Sequence, residues 1–143
     1  MAKARRKGDQ GETMSIINSA VESVMDLIDA LGLFSPISRG ALGTGNGLVC
    51  EVGPSGPETV FMDKNQYIIL DLTINGKHTN LFTLSESMNQ IHEALTMRRE
   101  YPFGDDWKIV DITTLTEPQK IGREDNNAWL MASALNIKIE TKV

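Results

Sequence analysis

Trp129-Leu-Met-Ala-Ser-Ala-Leu-Asn-Ile-Lys-Ile-Glu-Thr-Lys-Val143 closes the chain and decides how the rest is read. One alternating set, Trp129, Met131, Ser133, Leu135, Ile137 and Ile139, is mostly large and apolar. The other set begins with Leu130, Ala132 and Ala134 and turns polar at Asn136, Lys138 and Glu140. Successive side chains of a strand point to opposite faces, so this alternation predicts a β-strand with one face on a core. The small side, Ala132 and Ala134, is expected to let a helix pack closely. A long strand needs partners, and the upstream sequence supplies them.

Tyr67–Ile74 alternates in the same way, with Ile68, Leu70, Leu72 and Ile74 on one face. Asn75-Gly76 follows directly, and that dipeptide suits a two-residue hairpin turn because both of its positions need positive φ. The return strand is then expected over Lys77–Phe82. Leu48–Val52 and Thr59–Met62 read as two short strands joined by Gly53-Pro-Ser-Gly-Pro57, and Trp107–Thr114 as another strand. Thr116–Asn127 is polar, contains Pro118 and Gly122, and reads as a loop.

Two segments carry helical periodicity. In Ser15–Leu31, Ile17, Ala20, Val21, Val24, Leu27, Ile28 and Leu31 make one apolar face, with Ser15 as the expected N-cap and Gly32 as the stop. From about Ser85 to Met97, Leu84, Met88, Ile91 and Leu95 form a second stripe, and Thr83 with Glu86 has capping-box spacing. The expected fold class is α+β: an antiparallel β-sheet with two main helices packed against one face, the first a long N-terminal amphipathic helix.

Composition sets outer limits. The chain has 143 residues, near the modal size of one domain, with ordinary apolar (41%) and charged (23%) content. Its apolar runs are shorter than the roughly 20 residues of a spanning helix, and its basic N-terminus lacks the apolar core of a signal peptide. A soluble protein made in a reducing compartment is therefore expected, with Cys50 as a buried, inert thiol. Two parts are expected: a flexible basic arm over residues 1–13 and one α+β domain over 14–143. The arm holds Lys3, Arg5, Arg6 and Lys7 against Asp9 and Glu12. The whole chain carries 14 basic and 19 acidic side chains, so the remainder balances at -7. A body that acidic is a poor duplex-DNA binder, because such affinity comes largely from neutralised phosphates. The arm itself reads as a solvated tail, with contact to nucleic acid or to an acidic neighbour as the alternative.

Signs of catalysis are sparse. His78, expected to be exposed beyond the hairpin turn, and His92, beside the second apolar stripe, are the only histidines, and neither has a partner at ligand spacing. Asp105-Asp106 reads as a solvated turn. The run Gly40-Ala-Leu-Gly-Thr-Gly-Asn-Gly47 resembles a phosphate-cradling loop, but it lacks the Lys-Ser/Thr ending and leads into a strand. The expectation is a non-enzyme with no cofactor and no metal site. Glu117–Asn127 carries the strongest functional signal, since a hairpin there needs only two to five residues. Its excess length reads as a contact arm, against a solvated hairpin tip as the plain alternative. The expected interface residues are Lys120, Arg123, Glu124, Asp125 and Asn126, with Lys3, Arg5, Arg6 and Lys7 as a second partner-contact arm.

The element order, the span Tyr-Ile-Ile-Leu-Asp-Leu-Thr-Ile74, the Leu-Ser-x-x-Met-x-x-Ile-x-x-Ala-Leu helix of Leu84–Leu95 and the ending from Asp125 resemble the tail terminator (minor capsid or neck) proteins of long-tailed bacteriophages. That resemblance covers most of residues 15–143. It implies a homohexameric ring that caps the tail tube, ends its polymerisation and joins the tail to the head. The implied partners are further copies of the chain, the tail tube protein and the head–tail connector or stopper protein, with no membrane and only incidental contact to passing DNA. The implied location is the tail or neck of the virion, after synthesis in the host bacterial cytoplasm. Two alternatives remain: a monomeric assembly adaptor or chaperone, and a small enzyme that binds a phosphorylated ligand at Gly40–Gly47.

Overall fold

The computed structural model describes residues 13–53, 57–62, 65–124 and 127–141. Helix α1 (Thr13–Asp29) is followed by strands β1 (Ile37–Arg39), β2 (Gly47–Val52), β3 (Glu58–Met62) and β4 (Asn65–His78). Helix α2 (Leu81–Thr96) and strands β5 (Trp107–Arg123) and β6 (Trp129–Thr141) complete it. The sheet order is β1-β2-β4-β6-β5, with β3 pairing β4 beside β2. All pairings are antiparallel except that of β1 with β2. The fold is α+β, as expected.

The alternation of β4 and β6 positions the core. Their register places Ile68 opposite Ile139, Leu70 opposite Ile137 and Leu72 opposite Leu135, so the large side chains of both strands share one face. Those residues are fully buried beside Ile17, Ala20, Val21, Val24 and Ile28 of α1 and Leu84, Met88, Ile91 and Leu95 of α2. Both helices therefore cover the same face. Ala132 and Ala134 lie on the other face, opposite Asn75 and Thr73, so the closely packed helix expected there is instead on the side of the large residues.

α1 begins at Thr13, so Ser15 lies inside it and is not its cap. It ends at Asp29, two residues before the expected Leu31. The stop itself is the expected one, since Gly32 has φ 68° and its N–H reaches the Asp29 carbonyl at 3.2 Å. α2 begins four residues earlier than its stripe suggested. Asn80 is its N-cap, and its side-chain oxygen accepts from the Thr83 N–H at 3.1 Å, so Thr83 is the donor and not the cap.

One expected turn and one expected loop are strand instead. Asn75 and Gly76 do not turn the chain. They sit inside β4, paired with Val49 and Leu48 of β2 on one side and with Ala132 and Met131 of β6 on the other. Lys77 and His78 end that strand, and there is no return strand over Lys77–Phe82. Gly76 is needed for space. A Cβ there would lie 2.6 Å from Leu84 Cδ1, 3.1 Å from Leu48 Cδ2 and 3.2 Å from Met88 Sδ. The first turn of α2 lies directly on the strand at this point. Likewise, the loop expected at Thr116–Asn127 is extended as far as Arg123 and pairs with β6.

Burial raises the Cys50 thiol to about 11, against the opposing pull of Arg39, so it stays protonated and unreactive at neutral pH. Among the described residues, no helix is long and apolar enough to cross a membrane.

Gly76→Ala should destabilise the protein by about 1–3 kcal/mol, the usual cost of overpacking a filled core. Gly43→Ala, where an added Cβ meets nothing within 4 Å, should change the urea midpoint little. A turn glycine at position 76 would tolerate the added methyl sterically, so equal midpoints for the two variants would contradict the packing described.

Candidate assembly surface

β5 and β6 form a hairpin in which the first strand gains residues on the second. Pairs run from Trp107–Thr141 to Arg123–Trp129, with register shifts between Ile109 and Asp111, Thr114 and Thr116, Thr116 and Gln119, and Lys120 and Gly122. Each shift leaves one β5 residue without a counterpart. Threonines at 113, 114 and 116 favour extended backbone despite the polar composition. Beyond Ile112 most of β5 is exposed, whereas its β6 partners stay buried or half-buried. The segment is an arm along the open side of the sheet.

β5 is the terminal strand of the sheet. Near its start, Phe103 bridges Lys108 and the Ile109 N–H donates to the Pro102 carbonyl at 3.0 Å. From Val110 onward no described strand covers its outer edge. Bulges and Pro118, which lacks an N–H, interrupt that edge as a template for further strands.

The far end of the arm is fastened to the sheet by a buried cation. Lys77 is only 3% exposed, and its Nζ donates to the Gly43 carbonyl at 2.5 Å and to Glu124 Oε1 at 3.0 Å. The contact joins the Gly40–Gly47 segment, β4 and the end of the arm. On the neighbouring row, Trp129 lies between His78 of β4 and Arg123 of β5. The Arg123 guanidinium is 4.5 Å and the Lys120 ammonium 5.1 Å from the Trp129 ring centroid. Such stacking is worth roughly 0.5–1 kcal/mol at exposed sites, and it holds both cations in place. Phe34 meets the His78 ring edge-on at 4.7 Å, and His78 Nδ1 accepts from the Asn80 N–H at 2.8 Å. His78 is thus half-buried, contrary to its expected exposure.

Of the expected interface residues, Lys120 and Arg123 come together on Trp129. Glu124 turns inward to Lys77. Asp125 and Asn126 lie outside the described residues, as do Lys3, Arg5, Arg6 and Lys7. The Gly40–Gly47 segment runs into β2 and offers Gly43's carbonyl to a lysine. Lys77 gives no signal in the sequence, because an alternating polar position in a strand looks solvated until two other segments close over it.

His92 roots the arm on the helical side. It is 6% exposed, its Nδ1 meets Thr114 Oγ1 at 2.9 Å, and its buried Nε2 has no partner among the described residues. Burial holds its imidazole below the ordinary value, while the Glu117 carboxylate pulls the other way. Among the described residues no three His, Cys, Asp or Glu side chains cluster as a metal site.

The fold occurs in a virion. It matches a chain in the structure titled "Virion of native gene transfer agent (GTA) particle", with a TM-score of 0.57 and 12% identity, over 92% of this chain and 99% of that one. At that identity the likeness is one of fold. No protein-family model matches the chain, and no curated protein matches its sequence.

Two outcomes follow from this geometry. Glu124→Ala should cost about 1 kcal/mol or more in urea unfolding, because it leaves a buried ammonium with one carbonyl. A loss below about 0.5 kcal/mol would instead fit a solvated tip. His92, kept neutral by folding, binds fewer protons folded than unfolded. Its contribution is complete above the unfolded value near 6.5 and declines as pH falls from there toward the lowered folded value. The stability lost between about pH 7 and about pH 5 should therefore be smaller for His92→Gln than for the native protein. Parallel curves would show that His92 does not titrate in this way.

Proposed function

We propose that the chain is a structural virion protein of a tailed phage or phage-like particle, and within that class a tail terminator. The observation that carries the proposal is the likeness to a virion chain, which spans almost the whole length of both. The molecule's own features agree with an assembling part. An arm stands along a free sheet edge, with two cations fixed on an indole and apolar side chains in solvent.

In this role copies close into a ring, expected to be a hexamer, that caps the tail tube, stops its growth and receives the head connector. A ring needs heterologous contacts, in which a patch on one copy meets a different patch on the next. The exposed arm offers one of those two patches. The role is mechanical: the chain binds further copies, the tail tube protein and the connector or stopper protein, and performs no chemistry. Its place is the tail or neck of the virion.

Light scattering and native mass spectrometry at high protein concentration should give a multiple of the 15.8 kDa chain, expected to be six, with rings in negative stain. A strictly monomeric mass would overturn the ring. Arg123→Glu should shift the population toward monomer while lowering the unfolding free energy by no more than about 1 kcal/mol.

A further inference from the structure

β3 pairs with β4 on one side, from Glu58–Ile69 to Met62–Asn65, and no described strand lies on its other side. Only two residues separate Met62 from Asn65, so that pair must be one that exchanges both of its hydrogen bonds. Alternation along the ladder makes Val60–Tyr67 and Glu58–Ile69 pairs of the same kind. The N–H and C=O groups of Thr59 and Phe61 therefore point away from β4. Among the described residues, no backbone hydrogen bond of a turn, loop or cap reaches them.

This edge lacks the features that usually keep strand edges apart. β3 contains no proline and no bulge, and its pairing with β4 is regular throughout. Thr59, Val60 and Phe61 are β-branched or aromatic, the residues that favour extended backbone. Thr59 lies opposite Ile68 and Phe61 opposite Gln66, which places both on the helix side of the sheet. Phe61 is 75% exposed there. The other edges are poorer templates: β1 has three residues, and β5 is broken by register shifts and Pro118. Of the edges in this fold, the best match for β3 is a second β3.

We infer that two copies of the chain pair through β3, antiparallel about a two-fold axis at Val60. In that register Thr59 of each copy faces Phe61 of the other, and each such pair exchanges both hydrogen bonds. Every outward backbone group of Thr59 and Phe61 thus gains a partner, with the same patch used by both copies. The two Phe61 side chains become diagonal neighbours on the helix side, within reach of each other. Glu58 comes opposite Met62 of the second copy, and the two Glu58 residues stand about 13 Å apart along the strands. The strand's one charge therefore does not oppose itself. This contact is independent of the ring proposed above; rings that carried it would be joined in pairs. It is short, so it forms in proportion to concentration.

The full-length protein carrying Val60→Cys tests the register. Residue 60 meets its own copy in a non-hydrogen-bonded pair, with Cα atoms about 4.5 Å apart, inside the range of a disulfide. Mild oxidation should link this variant into a dimer, whereas Glu58→Cys should link at least about tenfold less. The buried Cys50 stays out of the reaction in folded protein. Thr59→Pro tests the bonds. The Thr59 N–H serves only the outer side, so proline leaves β3 on β4 and removes one donor per copy from the contact. In sedimentation equilibrium it should weaken the pairing about tenfold or more, with unchanged circular dichroism. Phe61→Lys, at an exposed side chain, should weaken it likewise and serves if the proline variant does not fold. Equal linking at positions 58 and 60, or pairing that both variants leave untouched, would overturn the contact, as would a protein monomeric at every concentration. Rings without linking at position 60 would overturn it and leave the ring standing. Dimers linked at position 60 without rings would uphold it and count against the ring.

Discussion

β4 and β6 pair without a slip from Gln66–Thr141 to His78–Trp129, and the rest of the molecule is arranged around that ladder. Because the pairing is in register, every second residue of both strands adds to one continuous apolar face. Ile68, Leu70, Leu72 and Ile74 lie beside Ser133, Leu135, Ile137 and Ile139, and α1 and α2 bury that face together. A slip of one residue would send this whole set to the opposite side. Gly76 marks how close the covering layer comes, since the Leu84 and Met88 side chains occupy the volume that any larger residue would need.

The same ladder explains which parts of the fold were legible. The alternations of Tyr67–Ile74 and Trp129–Ile139 and the stripes of both helices follow from one-sided burial, which writes a period of two or 3.6 directly into composition. Asn75-Gly76 was misread because the dipeptide has two physical uses: positive φ in a tight turn, or absence of bulk beneath a helix. Only the position of α2 decides between them. Asn80 does not stand out as a cap in the sequence because the capping-box spacing at Thr83 and Glu86 suits a helix start three residues later. β1 leaves no signal in the sequence because three residues, of which only Ile37 is buried, carry no period at all.

β5 was cut short for a different reason. Up to Ile109 it alternates, and from Val110 onward each register shift resets the phase. Leu115 and Ile121 therefore fall where no simple alternation places them, and Pro118 looks like a breaker. Polar composition signals a loop when a strand is assumed to have a buried face. Here the strand has little to bury and is held by its bonds to β6. The candidate site was legible in part. Excess length and mixed charge singled out Lys120, Arg123 and Glu124, but the inward role of Glu124 depends on Lys77, far away in sequence.

An arm that only hung from the sheet would lose conformational freedom on meeting a partner, and that loss would weaken binding. This one is restrained at several points before any partner arrives. Thr114 is bound to His92, Arg123 and Lys120 are stacked on Trp129, and Glu124 is held by a lysine buried under the Gly40–Gly47 segment. The side chains left for contact, Leu115 and Ile121, therefore project from a braced strand. In a ring, each contact repeats around the axis, so an angular error at one joint is multiplied by the number of joints and decides whether the ring closes or spirals into a filament. The ion pair of buried Lys77 with exposed Glu124 fixes the end of the arm relative to β4, the strand on which α2 also rests, and in the proposed ring it would bear on that angle. Arm, sheet and helix layer are then parts of one braced frame, and in the proposed ring the direction of the arm within that frame would decide how many copies complete the circle.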